Sequence, residues 1–348
     1  MTNVITRRPR VFYLEFIRAI SICLIIIYHY NLITLKLQVS DSAVITKETF
    51  LGVIGVSLFI ILSGASLMLS TREDFSIGTF AKKRFLSIYP LFWVAYITTF
   101  LTYLIIHQQL PVSAPPLTFA LTIIGLDGFL LYAIPNFYLL GEWFLGFIII
   151  IYLIFPFLRY LFTKYALFTC LLCFCITLFI TKYYHGGMLL ERLPLARLME
   201  LVLGMSFIYL FSSFNKFLNI ILIGISGLLF YLSFTLNVPP PFYWTVQGMS
   251  LFTCLASIST LFDNFLFAHF VRFISTYSYG AFLIHHAVLY FILPFFKNQN
   301  LSIFTNYLLF SVLLTLIYGL SYLLTSATSF VIRKLVDNRS LQSPVFQK

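Results

Sequence analysis

Hydrophobic runs long enough to cross a membrane recur along the whole chain, and only short polar turns separate them. A spanning helix needs about 20 consecutive, mainly apolar residues. The segment at about 117–134 is short and carries Asp127 between glycines, so we expect it to be re-entrant or tilted. The pattern predicts an all-α fold, a polytopic transmembrane helical bundle with about ten spanning helices plus this one segment. The expected spans lie at about 12–33, 51–69, 86–106, 143–161, 166–181, 193–211, 217–236, 243–262, 277–296 and 304–332.

The composition excludes a soluble globular protein. The sequence is 60% hydrophobic, 19% aromatic and 9% charged, whereas charged residues make up about a quarter of soluble domains. No long polar stretch offers room for a soluble domain, so we expect a single membrane domain over residues 1–348, with a short tail at 333–348. The net charge of +11 comes from basic residues at segment ends, which is typical of membrane topology rather than nucleic-acid binding.

The distribution of basic residues among the loops indicates an orientation. With a cytoplasmic N-terminus, where Arg7, Arg8 and Arg10 lie, and with segment 117–134 not crossing, fifteen Lys and Arg residues fall on the cytoplasmic side and five outside. If that segment crossed, the count would be ten against ten. Because basic residues accumulate in cytoplasmic loops, we expect ten crossings of the plasma membrane, with both termini cytoplasmic.

The five cysteines all lie inside apolar runs, and Cys170, Cys173 and Cys175 are close together in sequence. No histidine or second cysteine pair accompanies these three, although a zinc site would need one. We therefore expect the cysteines to pack as small side chains, and we expect neither disulfides nor a metal site.

The first apolar segment carries the strongest chemical signal. Glu15, Arg18 and His29 lie in it, although each charged group at the bilayer centre costs roughly 2.5–3.5 kcal/mol. Arg18 and His29 are about three helical turns apart, so they share a face about 16 Å apart along the axis. Glu15 precedes Arg18 by three residues and can pair with it. The structural interpretation is a buried ion pair plus a hydrogen-bonded histidine, and the functional one is a histidine that transfers protons.

Polar side chains also occur at the start of the third span and inside the sixth. Lys83 and Arg84 can anchor topology at the cytoplasmic surface, or Arg84 can clamp a phosphate. Tyr89 precedes a proline that would bend the helix and turn these side chains inward. Arg197 and Glu200 are spaced to neutralise each other, which does not prevent them from lining a polar cavity.

Other candidates are single side chains in apolar surroundings. Trp143 is an interfacial anchor or part of a site, and Gly64 favours close helix packing. Ser278 precedes the doublet His285-His286 in the ninth span. Because neighbouring helical residues point about 100° apart, we expect one histidine of the doublet to face a site and the other to meet a backbone carbonyl or a lipid headgroup.

Six sequence motifs follow one another from residue 12 to about 290. The first combines Arg18 and His29 in LEFIRAISICLIIIYHY, and the others are GVSLFIILSG, KKRFLSIYPLFW, WFLGFIIIIYLIFP, RLMELVLGM and SYGAFLIH. Taken in this order, they resemble the motifs of the acyltransferase-3 family of integral membrane acyltransferases, and the fourth resembles the WFL subgroup. Ile148 and Ile149 stand where many members carry a glutamate, and Ser87 stands where a second arginine is common.

That resemblance implies transfer of an acyl group, most often acetyl, from cytoplasmic acyl-CoA to a hydroxyl of a cell-surface glycan or lipid-linked saccharide. It implies that His29 and Arg18 are catalytic and that Arg84, Lys83 and Tyr89 bind the donor. The expected supporting residues are Glu15, Trp143, Arg197, Glu200, Ser278 and His285. The alternative is a saccharide exporter or flippase, in which the intramembrane polar residues line a pathway.

Overall fold

The computed structural model describes residues 11–46, 50–73, 75–211, 216–235, 238–262 and 265–341. Within these ranges the chain forms twelve α-helices and no strands, so the predicted all-α fold is confirmed. The helices are α1 Phe12–Lys36, α2 Phe50–Ser70, α3 Ile77–His107, α4 Phe119–Ile124, α5 Asp127–Leu130, α6 Trp143–Lys164, α7 Ala166–Tyr183, α8 Leu198–Phe211, α9 Lys216–Ser233, α10 Pro240–Ser259, α11 Phe265–Ile292 and α12 Ile303–Leu341. The N-terminal Arg7, Arg8 and Arg10 and the tail from residue 342 lie outside the described residues.

Seven helices are long and apolar enough to cross a membrane, namely α1, α2, α3, α6, α7, α11 with the turn after it, and α12. Three further helices, α8, α9 and α10, have 14, 18 and 20 residues and lie in the remaining expected spans. Segment 117–134 contains only α4 and α5, of six and four residues, which are too short to cross. The chain is therefore a multi-pass helical bundle, and segment 117–134 forms no spanning helix.

Two helices begin earlier than their apolar runs suggest. α3 starts at Ile77 and continues through Pro90, so Lys83 and Arg84 belong to the helix rather than to a preceding loop. α11 starts at residue 265, twelve residues before the expected span, and therefore includes Arg272. The early starts therefore place these basic side chains within α3 and α11 themselves.

Helix α2 lies in the middle of the bundle and packs against α1, α8 and α10. Its closest approach is to α8, where glycines from both helices face the partner backbone. A Cβ on Gly64 would collide with the carbonyl oxygen of Leu201, and a Cβ on Gly204 would collide with that of Ile61. The small residues in the second motif therefore let the two helix backbones touch, which is the usual role of such residues in membranes.

The non-spanning element is held against α3 by hydrogen bonds from three aromatic side chains. Tyr89 Oη donates to the carbonyl oxygen of Ile124 at 2.9 Å, and Trp93 Nε1 donates to that of Ile123 at 3.0 Å. Tyr96 Oη donates to the carbonyl oxygen of Phe137 at 2.7 Å. Backbone carbonyls at membrane depth need such partners because no water is available there. The aromatic residues of the third motif thus fix the segment that leads into α6.

A buried pair of carboxyl groups joins α5 to the start of α6. Asp127 Oδ1 accepts a hydrogen bond from Gly128 N at 2.9 Å, and Glu142 Oε1 accepts one from Leu139 N at 3.3 Å. The two acidic side chains are almost completely buried, and among the described residues Asp127 Oδ2 and Glu142 Oε2 have no hydrogen-bond partner. Burial raises the pKa of both carboxyl groups, and the charge of Asp127 raises the pKa of Glu142 further. The pair therefore retains a proton well above the usual carboxyl range.

Candidate active site

Three histidines meet where α1 passes α11. The His29 ring lies with its centroid 5.0 Å from that of His285 and 4.1 Å from that of His286. One ring nitrogen from each histidine lies within 4.8 Å of those of the other two. His285 is completely buried, and the other two are half-buried. Both members of the doublet therefore contact the histidine of the first motif.

Hydrogen-bond partners determine where the protons of two of these rings sit. His285 Nδ1 lies 2.6 Å from the carbonyl oxygen of Phe282, and a carbonyl can only accept, so this nitrogen carries a proton. The lone pair of neutral His285 is then on Nε2, which lies 3.2 Å from His29 Nδ1. His29 Nδ1 also lies 3.0 Å from the carbonyl oxygen of Ile25. With two acceptors beside it, His29 Nδ1 carries the proton, and the lone pair of neutral His29 is on Nε2.

The same arrangement bears on metal binding. Three imidazoles are a common ligand set for divalent transition metals. Here the Nε2 lone pair of His285 accepts the proton of His29, so the neutral cluster offers free lone pairs on His29 and His286 only. The arrangement is better suited to proton transfer at His29 than to a three-histidine metal site.

His29 and His286 line a cavity of about 230 Å³, which we call the histidine cavity. Trp143 at the start of α6 also lines it, together with Glu191 and Arg192 from the turn before α8. The Arg192 guanidinium carbon lies 5.2 Å from the centre of the Trp143 ring. The cavity thus combines histidine side chains, an aromatic surface and the adjacent, oppositely charged side chains of Glu191 and Arg192.

Arg197 forms part of the wall of the histidine cavity, but its charge is already neutralised. Its Nε and Nη2 atoms donate to the two carboxylate oxygens of Glu200 at 2.7 and 3.0 Å. Nη2 also donates to Ser57 Oγ at 2.8 Å, and Nη1 donates to the carbonyl oxygen of Glu191 at 3.3 Å. The guanidinium lies 4.9 Å from the centre of the Trp244 ring. The pairing expected from the i, i+3 spacing is present, and it braces α8 against α2 and α10.

A second cavity, of about 320 Å³, lies at the other end of α1, and we call it the basic cavity. Arg18 and Arg84 line it, and Arg18 Nη1 donates to Ser275 Oγ at 3.5 Å. The Arg84 guanidinium lies 5.7 Å from the Phe80 ring centre and 5.6 Å from that of Tyr152. Among the described residues its buried Nε has no hydrogen-bond partner. The remaining polar lining consists of the hydroxyls of Ser63, Ser66, Ser87, Ser275, Thr276, Ser278, Tyr152 and Tyr279.

The buried Nε of Arg84 leaves a charged donor group in the basic cavity that no described residue satisfies. Ser66 Oγ, in the same cavity, likewise lacks a hydrogen-bond partner among the residues that the structure describes. Phosphate oxygens accept hydrogen bonds from both kinds of donor, and arginine binds them in a two-pronged geometry. The donor groups of the basic cavity therefore fit a phosphate-bearing ligand.

The structure separates Arg18 from His29, although the two share a helical face. Arg18 lines the basic cavity and His29 lines the histidine cavity. Two aromatic residues, Phe144 and Phe282, line both. The two ionisable residues of the first motif, Arg18 and His29, thus line two different cavities that share two aromatic residues.

Three predicted site residues have other contacts. Glu15 accepts a charged hydrogen bond from Arg272 Nε at 3.3 Å, a partner on α11 rather than the expected Arg18. Lys83 is exposed and lines neither of the two cavities. The hydroxyl of Tyr89 is engaged with the backbone of α4 and does not line the basic cavity either. The structure therefore does not bring Lys83 and Tyr89 together with Arg84 in the lining of the basic cavity, and their role in donor binding stays a prediction.

The two histidines of the doublet on α11 have different contacts, and the sequence does not reveal which of them lines the cavity. His286, which we did not select, lines the histidine cavity, whereas the predicted His285 lies behind His29 and bonds to a backbone carbonyl. Gly141 leaves space for the ring of His286, because a Cβ at position 141 would collide with that ring. Glu191 and Arg192 were also missed, and their only signal is a charged pair in an otherwise apolar turn.

Comparison with known proteins agrees with the motifs. A family described as an acyltransferase domain, acyltransferase-3, matches residues 11–326, which is nearly the whole chain. No curated protein and no solved structure shows significant similarity to the chain. The matched range includes both cavities and all three histidines. The chain therefore belongs to the acyltransferase-3 family and is a membrane acyltransferase.

Proposed function

We propose that this acyltransferase moves an acetyl group from cytoplasmic acyl-CoA to a hydroxyl of a glycan or lipid-linked saccharide at the opposite face of the membrane. The observation that carries the proposal is the lone pair on His29 Nε2, on a ring that lines the histidine cavity. The basic cavity, reached from the other end of the bundle, is the proposed donor site.

His29 acts as the general base in this proposal. Its Nε2 takes the proton of the acceptor hydroxyl as the oxygen attacks the thioester carbon. The new C–O bond forms, the C–S bond breaks, and the sulfur leaves with that proton as the free CoA thiol. Proton transfer by a positioned base contributes about 10²–10⁴-fold to such a rate. While His29 is protonated, its Nδ1–H donates a charge-assisted bond to His285.

The basic cavity is suited to the phosphates of CoA. Arg84 offers an unsatisfied Nε, and Arg18 offers a second guanidinium. The same end of the bundle carries the exposed Lys82 and Lys83, and basic residues accumulate on the cytoplasmic side of membrane proteins. This charge pattern supports a cytoplasmic donor side in the plasma membrane.

The histidine cavity is suited to a saccharide. Tyr28, Tyr138 and Trp143 supply aromatic surface, and Glu191 and Arg192 supply polar groups for hydroxyls. Binding sites for small molecules commonly combine a largely apolar wall with a few polar groups that fix orientation. On this proposal, the acceptor hydroxyl points towards His29.

A liposome assay with purified protein tests the proposal. Acetyl-CoA is supplied on one side and a glycan acceptor on the other, and free CoA and acetylated acceptor are both measured. We expect the two products to appear in equal amounts, and only when protein and acceptor are both present. Movement of the saccharide across the bilayer without thioester cleavage would contradict the proposal and favour the exporter.

A further inference from the structure

Two phenylalanines stand between the histidine cavity and the basic cavity. Phe144 is the second residue of α6, and Phe282 lies on α11 one turn before His286. They are the two residues common to the lining of both cavities. Their ring centroids are 5.9 Å apart in an edge-to-face arrangement. The pair is therefore positioned where the two cavities approach each other.

The proposed reaction requires the acyl group to cross this boundary. The groups suited to phosphates line one cavity and His29 lines the other. A thioester held by the basic cavity can reach His29 Nε2 only if the rings of Phe144 and Phe282 move apart. An aromatic pair is a weak barrier, so binding of substrates can open it.

The surroundings of the pair connect it to the groups that face the acceptor. The Trp143 ring lies 5.7 Å from that of Phe144, and Trp143 also contacts Arg192 in the histidine cavity. The backbone carbonyl of Phe282 accepts the hydrogen bond from His285, and the Phe282 ring lies 5.9 Å from the ring of His285, so the same residue contacts both the barrier and the histidines. An acceptor bound against Trp143 thus touches the immediate neighbour of the barrier.

We propose that Phe144 and Phe282 form an aromatic partition that keeps the donor thioester from His29 until an acceptor is bound, and so makes the enzyme select the acceptor hydroxyl over water. This inference rests on the proposed function. Without the partition, water in the histidine cavity attacks the thioester carbon and gives one proton to His29 Nε2. The C–S bond then breaks, the thiolate takes that proton, and the products are free CoA and acetic acid, which keeps the second proton of the water.

The test measures CoA release from acetyl-CoA with and without acceptor, using the full-length protein in liposomes. We expect Phe144→Ala to raise acceptor-independent release by about tenfold, since removing one aromatic contact changes the open population by roughly that factor. Phe282→Ala, on the other helix, should have the same effect, so loss of folding in one variant leaves the other as a test. Adding His29→Ala to Phe144→Ala should abolish the extra release.

Phe252→Ala is the matched control. Phe252 is completely buried, pairs edge-to-face with Phe207 at 4.9 Å and lines neither cavity. If this control raises acceptor-independent release as much as Phe144→Ala, general loosening explains the effect and the partition is refuted. Unchanged release in both Phe144→Ala and Phe282→Ala also refutes it, provided that wild type transfers acetyl to the acceptor. A wild type that performs no transfer refutes the proposed function itself.

Discussion

Replacing His285 tests how His29 is held in its active form. His285 Nε2 accepts the His29 Nδ1 proton at 3.2 Å, and this bond keeps the His29 lone pair on Nε2. His285→Leu removes that acceptor but leaves the carbonyl of Ile25, 3.0 Å from Nδ1, in place. We therefore expect a partial loss of activity rather than complete inactivation.

The size of the loss follows from the charge that develops on His29. A neutral hydrogen bond contributes about 1 kcal/mol, whereas a bond to a charged group contributes about 1.5–3 kcal/mol. The difference applies only when His29 is protonated in the transition state, and it amounts to about 0.5–2 kcal/mol. This corresponds to a fall in kcat of about 2- to 30-fold, with little change in the apparent KM for either substrate.

Steady-state kinetics of acceptor-dependent CoA release measure this effect. His285→Gln retains an acceptor oxygen near the position of Nε2, so it should recover part of the lost kcat. A His285→Leu protein with wild-type kcat would refute the positioning role. So would a His285→Gln protein that is as impaired as His285→Leu, because any disturbance of packing would then explain both.

Three further predictions concern the basic cavity and two buried pairs. Arg84→Lys keeps the charge but loses the two-pronged geometry, which should cost about 1–3 kcal/mol of donor binding. The apparent KM for acetyl-CoA should therefore rise about 5- to 150-fold, while the acceptor KM stays constant. Unchanged donor kinetics would make Arg84 a topology anchor only. Glu200→Gln leaves Arg197 buried without a counter-charge, so the free energy of unfolding should fall by about 3–5 kcal/mol. Unfolding in detergent measures this change. A variant as stable as wild type would contradict the bracing role. Glu142→Gln removes a carboxyl group whose pKa is raised in the fold. The stabilising proton of the wild-type pair is present at low pH and lost as pH rises through the raised pKa. As pH rises above the usual carboxyl range, the melting temperature should therefore fall less in this variant than in wild type, and equal falls would be inconsistent with a proton retained by the pair.

Local sequence spacing was sufficient for features that depend on one helix. The Arg197–Glu200 pair follows from their i, i+3 positions, and the non-spanning nature of segment 117–134 follows from its length and Asp127. The location of His29 in a polar site follows from the cost of burying an imidazole in hydrocarbon. In each case a single helix or a single energetic penalty determines the outcome.

Features that depend on how helices are rotated against each other were not predictable. The partner of Glu15 is 257 residues away on α11, so no local spacing reveals it. Which member of the His285-His286 doublet faces the cavity depends on the rotation of α11 against α1. Arg18 and His29 share a helical face, yet the aromatic side chains of α6 and α11 divide the space in front of it into two cavities.

The most direct test of the account is the turnover of His29→Ala beside His107→Ala. His107 is an exposed histidine at the end of α3 and lines neither cavity, so its replacement controls for loss of an imidazole elsewhere. Acceptor-dependent CoA release should fall by about 10²-fold or more in folded, membrane-inserted His29→Ala and remain at the wild-type level in His107→Ala. A His29→Ala protein that retains more than about a tenth of wild-type turnover would contradict base catalysis at this histidine.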